Sequence, residues 1–300
     1  MLEIVVHCGT ACAGSAFSSA VLQHRSLGMT NSLGGARVAL LEARRESELA
    51  SLVRRHGGEP VCVPALREVE RDCRDEAGRG VDVIGRAGAV VVLATGVGLD
   101  RWLTAAKELG RADALRAGLA SATVVCRGPK PVAVLKREGL VAHVRAPPPH
   151  TTTELLGALK DVEVRDRDVV FVHDGGGART VPEALLSRGA RLVEIEPYVW
   201  ALPEDVASLE DLVRSVIAGG VDAVAITTQV QAKHLVEVAD GIGARPALLE
   251  ALRERVIVAA VGPTCARALE ALGAPPHVMP DQSKMGPLVL ALAAYIASRR

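Results

Sequence analysis

Short, largely apolar runs alternate along this chain with longer stretches whose apolar residues recur at helical spacing. Runs at 89–95, 122–127, 168–173, 191–196, 222–227 and 256–261 predict strands, and the apolar, β-branched start of the last is the mark of a strand buried on both faces. Residues 36–44 and 60–65 predict two more strands around a helix at 46–56 that stops at Gly57-Gly58. Helices are expected near 99–109, 111–119, 131–138, 153–160, 181–188, 207–219, 230–240, 246–253 and 286–298. The 207–219 helix carries Leu209, Leu212, Val213 and Val216 on one face. Shorter strands are expected at 141–145 and 276–279. The charged stretch from Arg67 to Gly80 predicts no strand, and a domain crossing and a helix are the elements it has room for. Pro147-Pro148-Pro149 is a rigid loop, and Pro197 to Pro203 is a stiff connector.

One supersecondary plan occurs twice. The run from Val256 to Gly273 is a strand, a break at Gly262-Pro263-Thr264, and a helix closed by Gly273. Thr123 to Gly139 follows it, with Gly128-Pro129 in the place of Gly262-Pro263. The preceding strands match too, Ala89–Gly96 with Ala223–Gln229. Free amides and the helix dipole let such a turn hold an anion, though a plain connection between strand and helix uses the same residues. Strands near 89, 122, 141, 168 and 191 form one set; those near 37, 60, 222, 256 and 276 form another. This predicts two similar α/β domains, one inserted in the other: residues 34–66 with 201–300, and residues 67–200, with crossings near 66–70 and 197–203. Ligands of open parallel sheets sit beyond the carboxyl ends of the strands. Thr95-Gly96, Arg127-Gly128, Thr227-Thr228 and Gly262-Pro263-Thr264 would then border one interdomain cleft.

The chain has 300 residues, 49% hydrophobic and only 2% aromatic, with 35 basic and 35 acidic side chains. A zero net charge offers no global attraction to nucleic acid or to a membrane surface, and so few aromatics leave no base-stacking platform. No apolar run is long enough to span a bilayer. Cys62, Cys126 and Cys265 lie in or beside strands and read as small core hydrophobes. No cysteine spacing forms a zinc site, and His7, Cys8 and Cys12 lack further ligands. A reducing cytoplasm is the expected compartment. Residues 1–33 read as a poorly ordered extension, with Met29 an alternative start.

The chain carries no nucleophile elbow and no Walker loop. Asp174-Gly175-Gly176-Gly177 has the wrong spacing for a dinucleotide loop. What remains at the strand ends is a set of hydroxyls, glycines and cations: Thr95, Gly96, Arg127, Gly128, Lys130, Thr227, Thr228, Gln229, Gly262, Pro263, Thr264 and Lys284. That set suits a polyanion held through amides and scattered charges. Tyr198 lies at a crossing, beside Trp200 and between two prolines. It is a candidate proton donor or, equally, an aromatic packed between domains.

These residues resemble the uroporphyrinogen-III synthase family over about residues 36 to 298. The pieces that carry the resemblance are Ala94-Thr-Gly-Val-Gly98, Cys126-Arg-Gly-Pro-Lys-Pro131, Pro147-Pro-Pro-His-Thr-Thr152 and Pro197-Tyr-Val-Trp-Ala-Leu-Pro-Glu-Asp205. They continue in Ala225-Ile-Thr-Thr-Gln-Val-Gln231, Ala260-Val-Gly-Pro-Thr-Cys265 and Ser283-Lys-Met-Gly-Pro287. The resemblance implies two flavodoxin-like parallel-sheet domains joined by a two-segment linker, and a cofactor-free, monomeric lyase of haem biosynthesis. Its substrate would be hydroxymethylbilane, a linear tetrapyrrole with eight carboxylates, closed to uroporphyrinogen III with loss of water and inversion of ring D. The deaminase that precedes it would be a transient partner. Tyr198 matches the family's linker tyrosine, and Thr227, Thr228, Gly262 and Thr264 match positions that hold carboxylates. Ile226-Thr227-Thr228 departs from the usual Phe-Thr-Ser, and Val199 stands where many relatives place arginine. A non-enzymatic anion or tetrapyrrole sensor on the same fold is the alternative.

Overall fold

The computed structural model describes residues 32–299. The expectations for residues 1–31 therefore lie outside the described residues. In chain order come β1 (Arg37–Leu40), α1 (Glu46–Arg55), β2 (Glu59–Cys62), β3 (Arg67–Glu70), α2 (Arg74–Ile84) and β4 (Val90–Leu93). Then follow α3 (Gly96–Glu108), α4 (Ala112–Ser121), β5 (Thr123–Cys126), α5 (Pro129–Arg137), β6 (Val144–Arg145) and α6 (Thr152–Leu159). The second half opens with β7 (Asp168–Val172), α7 (Thr180–Ser187), β8 (Arg191–Ile195), β9 (Tyr198–Ala201), α8 (Val206–Ile217) and β10 (Ala223–Ile226). It closes with α9 (Gln229–Gly241), α10 (Arg245–Glu254), β11 (Ile257–Ala260), α11 (Pro263–Leu272) and α12 (Met285–Ser298).

The second half repeats the first, element for element. The one difference is that β6 has as its counterpart a single parallel bridge, Val278 to Ala259. The repeat read in the sequence, 89–139 against 223–273, is thus part of a longer one. Small details repeat as well. His143 Nδ1 accepts from the Val124 amide at 3.0 Å, and His277 Nδ1 accepts from the Val258 amide at 3.0 Å.

The halves exchange strands. One sheet runs β11-β10-β1-β2 and the other β6-β5-β4-β7-β8, both parallel throughout. Each therefore draws strands from both halves, with β10 and β1 in the places of β4 and β7. Their central strands are buried along their whole length: β4, β7 and β10 expose nothing. Burying each valine, leucine or isoleucine there contributes about 1.5–3 kcal/mol, which makes these strands the rigid frame. Helices α8 to α11 cover one face of the first sheet, with α1 and α12 on the other. Correspondingly, α2 to α5 cover one face of the second sheet, and α6 and α7 the other.

Three expectations need correction. The stretch after Arg67 does contain a strand, β3, which pairs antiparallel with β9 (Glu70 opposite Tyr198, Arg67 opposite Ala201). Three of its four residues are charged, which suits a half-exposed ribbon, not a buried strand. The connector from Pro197 to Pro203 contains β9, its two prolines lying outside the paired residues. The strand expected over 36–44 ends at Leu40, and the loop beyond it carries Glu42 and Arg44.

Candidate functional site

Tyr198 begins β9 and is 1% exposed. Its hydroxyl lies 3.3 Å from Thr95 Oγ1, at the carboxyl end of β4. Thr95 is the N-cap of α3 and accepts from the Gly98 amide at 2.9 Å, which fixes its rotamer. Burial pushes the Tyr198 phenol up from its ordinary value, against the lowering effect of Thr95. The ring is boxed in. Trp200 meets it edge-on at 5.5 Å, and the guanidinium carbons of Arg44 and Arg101 lie 5.9 and 5.8 Å from its centroid.

The triple-glycine turn after β7 is part of this box. Gly175 has φ +74°, and a Cβ there would come within 2.5 Å of the Tyr198 ring. Trp200 donates its backbone N–H to Gly175 O and its indole N–H to Asp174 O, both at 3.0 Å. Asp174-Gly175-Gly176-Gly177 is a packing turn against β9. Asp174 also pairs with Arg127 at 2.6 Å, each about a quarter exposed. Burial pushes the Asp174 carboxyl up, but the Arg127 charge and the Gly176 amide outweigh it, so the group sits below its ordinary range. Arg127, expected to hold substrate, is thus already committed to a carboxylate.

Gly96 opens α3 where α5 begins. A Cβ on it would sit 3.0 Å from Lys130 O, so glycine lets the two helix starts close on each other. Gly128 packs under His150, which precedes the capped start of α6. Lys130 is exposed, and two of the first three residues of α5 are prolines without an amide proton. This turn therefore offers fewer donors to an anion than Gly262-Pro263-Thr264 does.

In the first sheet, Thr227 and Thr228 follow β10. The Thr228 hydroxyl caps α9 and accepts from the Gln231 amide at 3.3 Å. Gln231, 1% exposed, takes the amides of Thr227 and Thr228 on its carbonyl oxygen, at 2.7 and 3.2 Å. The Thr227 hydroxyl donates to Glu42. Glu42 in turn accepts from the amides of Arg44 and Arg45, at 3.2 and 3.4 Å. Gln229 is half-buried at the start of α9. Gly262 is buried against Ser283, Pro263 takes the first turn of α11, and Thr264 is exposed. Lys284 precedes α12 with its ammonium 3.2 Å from Gln282 Oε1.

The two groups of loops meet through side chains that sequence reading passed over. Arg44, from the loop after β1, lays its guanidinium 4.5 Å over the Trp200 ring and pairs with Glu68 on β3. Glu68 also receives Arg101 of α3 at 2.6 Å. On another side, Arg267 of α11 lies near enough to Glu154 of α6 to help lower its carboxyl, after the larger effect of the Thr151 hydroxyl. No composition or period marks Arg44 or Glu68, since each matters only through a contact between distant segments. Among the described residues no cluster of histidine, cysteine and carboxylates could hold a metal ion, and no helix is long and apolar enough to cross a membrane. Burial pushes the thiols of Cys126 and Cys265 up to about 12, as expected of small core hydrophobes.

The family model described as uroporphyrinogen-III synthase HemD matches residues 47–289. The chain belongs to the uroporphyrinogen-III synthase family. It is 30% identical over 274 residues to an uncharacterised Bacillus subtilis protein, YjjA, covering 89% of this chain and 98% of that one. A putative uroporphyrinogen-III synthase from Methanothermobacter thermautotrophicus is 31% identical over 166 residues, 55% of this chain and 64% of its own. A mutant uroporphyrinogen III synthase from Thermus thermophilus superposes with a TM-score of 0.73 at 27% identity, covering 89% of this chain and all of that one. The wild-type Thermus enzyme in a second crystal form gives 0.59 at 29% identity, covering 88% and 99%. The family's two-domain α/β architecture is the one described above.

Proposed function

We propose that this family member acts as a uroporphyrinogen-III synthase, a lyase that dehydrates and cyclises hydroxymethylbilane with inversion of its last ring. The observation that carries the reading is the Tyr198 site. A buried phenol is fixed by Thr95 at one strand end, between cations contributed by the loop after β1 and by α3. Hydroxyl loss from the substrate leaves a cationic pyrrole and needs a proton. Tyr198, kept protonated by burial, is the group nominated to give it. The rest of the task is positioning. Unassisted closure leaves the last ring uninverted, so the protein must fold the chain into the reactive shape, and that is chiefly an effect of orientation. Two sheets whose loops come from one repeated plan suit a substrate built of four similar rings. Thr95, Gly96, Gly128, Thr228, Gln229, Gly262, Thr264, Lys130 and Lys284 are proposed to line it, with the deaminase that makes the bilane as a transient partner.

The test is a coupled assay. Purified protein is incubated with the deaminase and porphobilinogen, the products are oxidised, and the III and I isomers of uroporphyrin are separated. The expected result is a large excess of isomer III over the deaminase-only control. An unchanged ratio would favour a tetrapyrrole-binding regulator on the same fold.

A further inference from the structure

The geometry points to Arg44 as the residue that grips a carboxylate of the bound substrate beside Tyr198, giving up Glu68 to do so. This rests on the tetrapyrrole reading above and extends it with a residue outside every motif that suggested that reading.

The nearby cations differ in what they can still do. Arg127 is held by Asp174 at 2.6 Å, with both side chains about three-quarters covered. Arg101 is 27% exposed and bonds two carboxylates, Glu68 at 2.6 Å and Glu70 at 2.5 Å. Arg44 is 43% exposed and pairs with Glu68 alone. One face of its guanidinium lies on Trp200, which leaves the N–H edges to meet a planar carboxylate. When Arg44 leaves, Glu68 keeps Arg101 on Oε1, while its buried Oε2 has no other partner among the described residues. The carboxylate as a whole keeps one cation through the exchange, which lowers the cost of breaking the bridge.

Arg44 is also well placed. Glu42 accepts from its backbone amide and takes the Thr227 hydroxyl, so the loop is tied to the end of β10. Its position has no equivalent cation in the other half. The register of β1 on β10 and of β7 on β4 puts Gly175 in the corresponding place, where the Tyr198 ring leaves no room for a side chain. A cation on one side only gives a pseudo-symmetric site a direction, and a substrate with one reacting end requires that.

Three variants of the full chain, Arg44→Gln, Arg44→Lys and Glu68→Gln, test this. Two readouts serve: fluorescence titration with uroporphyrin III, and steady-state kinetics with enzymatically generated hydroxymethylbilane. Arg44→Gln should raise the Kd and the KM about tenfold, with a smaller change in kcat, and Arg44→Lys should recover part of the loss. Glu68→Gln, by removing the competing carboxylate, should tighten uroporphyrin binding several-fold. A purely structural bridge would make Arg44→Gln and Glu68→Gln fail alike; that result, or an unaltered Kd in Arg44→Gln, overturns the inference. If the wild-type protein neither binds uroporphyrin nor makes isomer III, the parent reading falls and takes this one with it. If it does both and only Arg44→Gln is silent, this inference alone falls.

Discussion

At the scale of single residues, the environment of Tyr198 decides its chemistry. For a phenol that is 1% exposed, burial disfavours the anion by more than the Thr95 hydrogen bond and the Arg44 and Arg127 charges favour it. Its pKa is raised, so the proton stays on through the physiological range and is lost only above the ordinary tyrosine value. As an acid it would be competent across neutral pH, and any fall in kcat due to its ionisation should appear only above about pH 10. Tyr198→Phe keeps the ring packed against Gly175 and Trp200 but removes the proton. We expect kcat to drop at least about tenfold, the low end of what a general acid contributes, with uroporphyrin III binding nearly unchanged. A wild-type rate in this variant would remove Tyr198 from the acid role.

At the scale of elements, the turn after β7 shows how a candidate side chain, Tyr198, is held by backbone. The spacing of its glycines already argues for a plain turn, and the tertiary contact shows what that turn packs against. Gly175 occupies the left-handed region with the Tyr198 ring against its α-carbon. In Gly175→Ala, the backbone conformation costs about 1–2 kcal/mol. Forcing a methyl against the ring adds about 1–3 kcal/mol. Thermal or urea unfolding should show a loss in that combined range, and Gly177→Ala, at positive φ but with open space around it, should lose only the backbone part. Equal losses in the two variants would mean that the ring contact contributes nothing. The same scale explains what could be read from sequence. The buried strands were legible because β4 and β10 are apolar at every position and β7 at every position after Asp168, and the Gly-Pro turns because proline and glycine punctuate so strongly. Strand β3 was not, because Arg67-Glu68-Val69-Glu70 has no buried face to betray it. Arg127 looked like an available cation because nothing in its neighbourhood in sequence reveals Asp174.

For the whole molecule, the main finding is a chain made of one plan used twice, with strands exchanged so that each sheet is a composite. Strand β3 pairs with β9, and Arg44 of one half stacks on Trp200 of the other. Neither half could therefore form the Tyr198 site by itself. On the reading proposed above, such a design would let loops of both sheets close on one ligand. The sequence repeat hinted at this, but only over the stretch where Gly-Pro turns made it visible. The remainder is carried by apolar pattern alone, which many sequences satisfy.

Amide hydrogen exchange with and without uroporphyrin III tests that design most directly. The account predicts slowed exchange at both sets of loops together, near residues 95–98 and 150–154 in one lobe and 228–231 and 262–266 in the other, with the loop at 42–46. Protection confined to a single lobe, or located away from these strand ends, would contradict it.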